Sequence, residues 1–269
     1  MQPEAGRDIL SRIVASTRLE LASVESDREL FEQTAREVAA LGEPHAFSRA
    51  IRRIGGEPIR IIAEVKSASP SAGVIVDGPE VENIATAYRD GGAAAVSVVT
   101  EPVFFKGSRD WLQRARSSSL LPVIMKDFIV DPLQIHRGVA AGADAVLLLA
   151  SLLDASSLHA MIDLLDRLGR DALVEVHDEE ELDRAIEAGA RIIGVNNRNL
   201  RDFVVDLGTS ERLSAKIPES VIRVAESGIR TRQDAQRLER VGFDAILVGE
   251  SLLRQADRTA AVRSLRGEA

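Results

Sequence analysis

The sequence predicts an α/β fold, a single (β/α)8 TIM barrel with an N-terminal helical extension, on three observations. The chain has 269 residues, near the usual size of one such barrel. Eight short apolar runs begin near residues 59, 95, 121, 145, 172, 192, 221 and 245, a spacing that leaves room for one helix after each. Four of them repeat one phrase, a helix stop followed by a buried run: GGAAAVSVV from Gly91, AGADAVLLL from Ala141, AGARIIGVN from Ala188 and VGFDAILVG from Val241. These recur at about 50 residues, or two βα units each.

Taken in order, residues 1–55 come first and carry helical periodicity. Ile9, Leu10, Ile13, Val14 and Leu21 fall on one stripe, and a second helical segment runs from about Leu30 to Leu41. Without a linker or low-complexity stretch, residues 1–55 are expected to pack as an extension on a barrel of residues 56–269, with the barrel mouth as one place to sit. The strands IRIIAEV from Ile59, LPVIMK from Leu121, ALVEV from Ala172 and VIRVAES from Val221 interleave with the four repeats. The repeats themselves lack polar alternation, as strands covered on both faces do. Their second glycines, Gly92, Gly142, Gly189 and Gly242, are expected as left-handed helix ends. DEEELDRAIEAGA and TRQDAQRLERVG read as two of the intervening helices. An open doubly wound sheet would alternate in the same way, but no G-x-G-x-x-G follows the first strand and no G-x-x-x-x-G-K-[ST] occurs.

Composition narrows the function. Only 3% of residues are aromatic against 45% hydrophobic, so the core must be Ala, Val, Ile and Leu. The net charge of −8 removes the uniform basic field that drives non-specific nucleic-acid binding. With no cysteine there are no disulfides, thiolate nucleophiles or zinc ribbons. The first residues lack a secretory leader, and no run approaches the ~18 apolar residues of a membrane span. A cytoplasmic protein with no membrane role is expected. A monomer is expected too, since no long apolar surface stripe stands out. His45, His136, His159 and His177 show no metal-ligand spacing, so no metal site is expected; three of them read as surface or loop residues, and His177 as a group behind the site rather than a catalyst.

Catalytic groups of a barrel sit at the C-terminal strand ends, so the polar residues closing each run carry the chemistry. Period-2 alternation puts Ile62, Glu64 and Lys66 on one face of the first strand, Ile124 and Lys126 on one face of the third, and Leu173, Glu175 and His177 on one face of the fifth. A lone inward pair such as Glu64 and Lys66 also reads as a structural ion pair. Four charges converging from three strands point instead to proton transfer between a lysine acid and a carboxylate base. Asn196 closes the sixth strand, where an amide can orient a hydroxyl. After strands seven and eight, Ser227, Gly228, Gly249, Glu250 and Ser251 lie where barrels bind phosphate, although glycine there also serves a plain tight turn. Phe104, Phe105 and Phe128 follow strands two and three and suit a flat substrate ring; ordinary loop anchoring explains them as well.

IIAEVKSASPSAG, VTEPVFFKGS, PVIMKDFIVDPLQI, LVEVHDEEEL, GVNNRNLRDFVVDL, VAESGI and ILVGESLL closely resemble the indole-3-glycerol phosphate synthase family, tightly over residues 60 to 254 and loosely over ILSRIVASTRLEL. The resemblance implies a cofactor-free reaction on a small sugar-phosphate substrate: 1-(2-carboxyphenylamino)-1-deoxyribulose 5-phosphate loses carbon dioxide and water to give indole-3-glycerol phosphate. It implies Lys126 as general acid, Lys66 as the holder of the anthranilate carboxylate, Glu175 as general base, and Glu64 and Asn196 as positioning groups. Ser69, Arg198, Glu226 and Ser227 match further site positions of the family, and Gly228, Gly249 and Glu250 its phosphate loops. Glu250 stands where some members carry a small hydroxyl residue, which implies that its backbone N–H meets phosphate. SAGVIVDGPEVENIA, after the first strand, lacks the basic or aromatic residue of many relatives, leaving that loop's closure open. Two other classes fit part of the pattern: a Schiff-base aldolase barrel with Lys126 as nucleophile, and a non-catalytic sugar-phosphate binder that would not need the four charges.

Overall fold

In a computed structural model, which describes residues 5–199 and 203–268 with the side chains of 5–8 excepted, eight strands close into a parallel barrel. Residues 1–4, 200–202 and 269, and with them Leu200 of the GVNNRNL string, lie outside the described residues. The strands are β1 (Arg60–Val65), β2 (Ala95–Val99), β3 (Val123–Lys126), β4 (Ala145–Leu149), β5 (Asp171–Val176), β6 (Ile192–Asn196), β7 (Ile222–Glu226) and β8 (Ala245–Val248). Each pairs with its chain neighbours, and β1 closes the ring on β8. The eight runs thus became the eight strands.

Alternation sorts the side chains into two layers. Ile62, Ala95, Ile124, Leu173, Ile192 and Val224 meet inside the barrel, while Ala63, Val96, Val123, Val146, Val174 and Ile193 face the surrounding helices. The inner cluster has a floor that the sequence did not announce. Helix α3 (Ala46–Ile51) lies at the N-terminal end of the barrel and inserts Phe47 and Ile51, both fully buried, among the inward side chains. Burial of a side chain this large stabilises by ~1.5–3 kcal/mol. Water is thereby excluded from the end opposite the mouth.

Local signals set the helix ends. Asp131, with Pro132 in the first turn, builds a capping box with Gln134, and Thr231 builds one with Asp234. Gly92, Gly142, Gly189 and Gly242 all hold positive φ, between 85° and 96°, as expected of left-handed helix ends. The extension consists of α1 (Ala5–Val24) and α2 (Arg28–Leu41) ahead of α3. α2 packs along the helix Pro132–Ala140, and Arg28 reaches Asp131 at 3.2 Å. Of the apolar residues that suggested α2, Leu30 and Leu41 are 61% and 89% exposed, and its buried residue is Ala35. α1 crosses the mouth: Ile9, Leu10 and Ile13 border the cavity described below. Among the described residues no helix is long and apolar enough to cross a membrane.

Candidate active site

The C-terminal strand ends open into a cavity of about 620 Å³, and every site residue read from the sequence except Phe104 borders it. Two ion-pair groups form its chemical centre. On β1 and just past its end, Lys66 Nζ lies 2.7 Å from Glu64 Oε1. Lys126 closes β3, and its Nζ sits 3.2 Å from Glu175 Oε2 on β5 and 2.5 Å from Glu226 Oε2 on β7. Asn196 Nδ2 donates to Glu175 Oε1 at 2.9 Å. The four charges predicted from alternation do converge, and Glu226 joins them.

Burial disfavours every one of these charges, so their ionisation depends on the partners. Burial would raise the Glu175 carboxyl, but Lys126, His177 and Asn196 more than offset it and hold it well below the usual carboxylate range. Glu64 is likewise drawn down against its burial by Lys66 and Lys126. For Lys126 burial works toward the neutral amine, yet Glu226, Glu175 and Glu64 keep it above its ordinary value and therefore an ammonium. Glu226 goes the other way: burial pushes it up to about 7, and repulsion from Glu175 supports the rise against the pull of Lys126. The cluster holds one strongly ionised carboxylate and one that takes up a proton near neutrality, an arrangement suited to acid–base work.

Gly194 makes room for this. It lies beside Glu175 across the β5–β6 ladder, and a β-carbon there would collide with Glu226 Oε1. Gly249 has a similar duty, since its β-carbon would meet Glu64 Oε1 and stand 3.1 Å from Lys66 Nζ. Gly249 was expected to serve phosphate or a tight turn; its place makes it a neighbour of the Glu64–Lys66 pair as well.

An aromatic wall stands on one side. Phe105 and Phe128 have ring centroids 5.8 Å apart at an interplanar angle of 43°. Two buried acids that the sequence reading passed over fix their loops. Glu101 accepts the backbone N–H groups of Val103, Phe104 and Phe105 at 3.0, 2.7 and 2.8 Å. Asp127 accepts from Thr100 Oγ1 at 2.6 Å and from the Phe128 N–H at 2.8 Å. Polar residues inside the strings VTEPVFF and MKDF were the available signal. Leu147 and Leu149 of β4 and Leu247 of β8 line the cavity between the charges, and α1 faces it with Ile9, Leu10 and Ile13. α1 is pinned there by Glu20, which bridges Arg109 and Arg137, the latter at 3.1 Å, and by Arg12 stacked 5.5 Å over the Phe104 ring.

The loop after β1 is tied down as well: residues 68–69 and 73–74 pair as a short antiparallel ribbon, Ser67 Oγ donates to the Val76 carbonyl at 2.7 Å, and the Ala68 N–H donates to the Phe105 carbonyl at 3.2 Å. Ser69 borders the cavity from this ribbon. Arg198 holds its loop through its N–H to Asn196 Oδ1 at 3.0 Å and its guanidinium to the Phe203 carbonyl at 3.4 Å. Buried Asn197, missed in the sequence, ties this loop to the next by donating to the carbonyls of Glu226 and Ser227.

Ser227 and Gly228 border the cavity with consecutive positive φ of 65° and 82°; a β-carbon on Gly228 would collide with Val205. Ser251 Oγ donates to the Ile229 carbonyl at 3.0 Å and locks the two loops together. The Glu250 carboxylate pairs with Arg254 at 2.9 Å.

His177 sits closer to the chemistry than its sequence reading: Nε2 lies 3.3 Å from Glu175 Oε1. His136 is buried on its helix rather than at the surface.

A family model for indole-3-glycerol phosphate synthase matches residues 10–265. The synthase of that name from Ruminiclostridium cellulolyticum is 43% identical over 97% of this chain and 100% of its own length. Its counterpart from Chlorobium chlorochromatii is 45% identical over 90% of this chain and 94% of its own. Among solved structures, 3-hexulose-6-phosphate synthase from Salmonella typhimurium superposes with a TM-score of 0.65 at 16% identity, over 78% of this chain and 98% of that one, a likeness of fold. Neither the Schiff-base barrel nor the non-catalytic binder is favoured by these matches. At this identity over nearly the whole length, the chain belongs to the indole-3-glycerol phosphate synthase family, the carboxy-lyases of tryptophan biosynthesis.

Proposed function

We propose that the cavity closes the indole ring of 1-(2-carboxyphenylamino)-1-deoxyribulose 5-phosphate, with its lysines and glutamates as the proton-handling groups. The observation that carries this reading is the contact of one partly buried ammonium, Lys126, with two buried carboxylates of opposite tendency, Glu175 and Glu226. The substrate's phosphate sits at Ser227, Gly228, Gly249, Glu250 and Ser251, where backbone N–H groups meet an oxyanion. Its anthranilate ring lies against Phe105 and Phe128, and Arg198 and Ser69 contact the polar groups between. Lys126 gives its proton to the ribulose carbonyl oxygen as the aromatic carbon attacks. Carbon dioxide leaves from that carbon, and the hydroxyl then departs as water with a proton from the Lys66 ammonium while Glu175 takes the ring proton. Lys66, held by Glu64, faces the carboxylate that is lost, and Asn196 orients Glu175. Every group comes from one chain, so a monomer can do this, and the lack of cysteine suits the reducing cytoplasm.

Lys66 provides the test of this placement, because the product lacks the carboxylate that Lys66 is proposed to read. Lys66→Met is expected to weaken binding of the reduced, carboxylated substrate analogue by one to two decades, from ~1.5–3 kcal/mol of charge-assisted hydrogen bonding, and to leave indole-3-glycerol phosphate binding nearly unchanged. Fluorescence titration of both ligands isolates the effect, since the phosphate contacts are common to both. Equal losses would mean that Lys66 serves Glu64 or the phosphate instead.

A further inference from the structure

His177 is the member of the charged cluster that the reaction above leaves unused. Its side chain is 12% exposed, and each ring nitrogen faces an acid. Nε2 stands 3.3 Å from Glu175 Oε1, the oxygen that Lys126 does not touch, and Nδ1 stands 2.9 Å from Glu181 Oε2. Glu181 is itself fixed. Its Oε2 also accepts the His177 backbone N–H at 2.8 Å, and its own N–H donates to Asp178 Oδ1 at 2.9 Å, the cap of the helix Glu179–Glu187. The helix start thus holds Glu181, Glu181 holds the imidazole in place and orientation, and the imidazole abuts Glu175. A neutral imidazole carries one N–H and no charge; the imidazolium hydrogen-bonds Glu181 through Nδ1 and sets a positive charge within ion-pair range of Glu175 through Nε2.

The groups facing Glu175 give this cation a purpose. Lys126 comes from β3, Asn196 from β6, and beyond Lys126 stand Glu226 on β7 and Glu64 on β1. A substrate adds a carboxylate and a phosphate to that negative surrounding. When Lys126 passes its proton to the substrate oxygen, Glu175 loses the positive charge at Oε2, and the charge at Oε1 remains.

We propose that His177, clamped by Glu181, is a positioning residue that stays positively charged and keeps Glu175 ionised while Lys126 alternates between its charged and neutral forms. This rests on the reading of Glu175 as the general base. The electrostatics agree in direction: burial works against the imidazolium, but Glu175 and Glu181 push His177 up to about 10. The charge is accordingly present through the neutral range and lost only as pH rises through that value.

The test uses His177→Gln and Glu181→Gln, with the pH dependence of kcat/KM between about pH 5 and 9 and the ring-nitrogen NMR shifts of His177 in the wild type. In the wild type the Glu175 limb lies below this window; removing the cation lets the carboxyl climb, so the limb is expected to move up into the window's low end. Rate near pH 5 then falls severalfold, with recovery toward neutral pH and KM little changed. The wild-type imidazole is expected to remain doubly protonated at neutral pH. Should His177→Gln fail to fold, Glu181→Gln and the wild-type NMR titration read the same property. An unmoved limb in the folded variants, or a neutral imidazole at pH 7, overturns the proposal. Glu175→Gln, assayed alongside, separates the two levels: if it keeps its turnover, the base assignment itself is wrong, whereas its loss beside an unmoved limb rejects His177 alone.

Discussion

Lys126→Met is expected to lower kcat by about 10²–10⁴-fold with little change in KM. Methionine occupies similar volume but carries neither charge nor proton, so binding through the phosphate loops and the aromatic wall survives while the carbonyl oxygen loses its acid. The substitution also strands two buried carboxylates. Breaking a buried pair can cost ~3–5 kcal/mol, but Glu226, already pushed up to about 7, can take up a proton, and Asn196 and His177 still hold Glu175. A folded, less stable protein is therefore expected, and thermal unfolding by circular dichroism run beside the kinetics separates the two losses. A rise in KM alone would make Lys126 a binding residue.

Glu175→Gln is expected to lose a comparable factor for a different reason. The amide keeps the shape and can still accept from Asn196, and Glu226 still pairs with Lys126 at 2.5 Å, so both fold and substrate affinity should hold. What disappears is the carboxylate beside Lys126 that stays ionised at neutral pH, Glu226 being pushed up to about 7. Steady-state kinetics on Glu175→Gln and Glu226→Gln together assign the base. Loss of kcat in the first with a milder loss in the second is the expected pattern, and the reverse would move the role to Glu226.

The barrel and the converging charges were legible because each rests on a local rule. Alternation along a strand places Ile62, Glu64 and Lys66 on one face whatever lies across the barrel, and a glycine after a helix signals its end wherever the helix packs. What was not legible depends on contacts between distant segments. Gly194 reads as one more glycine until Glu226, on the adjacent strand, needs its space. Phe47 and Ile51 drew no reading, because nothing local says that a six-residue helix closes the barrel floor. Leu147 and Leu149 read as core and turn out to line the cavity. His177 was discounted because a strand-end histidine is ordinarily bland; its importance arises from two acids, one on its own strand and one on the next helix.

The most direct measurement is of carbon dioxide and indole product together, from carboxyl-labelled 1-(2-carboxyphenylamino)-1-deoxyribulose 5-phosphate added to chelator-treated wild-type protein. Labelled carbon dioxide and indole-3-glycerol phosphate are expected to appear at equal rates in a one-to-one ratio without any added metal or cofactor, and to slow together in Lys126→Met. Carbon dioxide without the indole product, no turnover by folded protein, or turnover only after a metal or cofactor is restored would contradict ring closure by these lysines and glutamates.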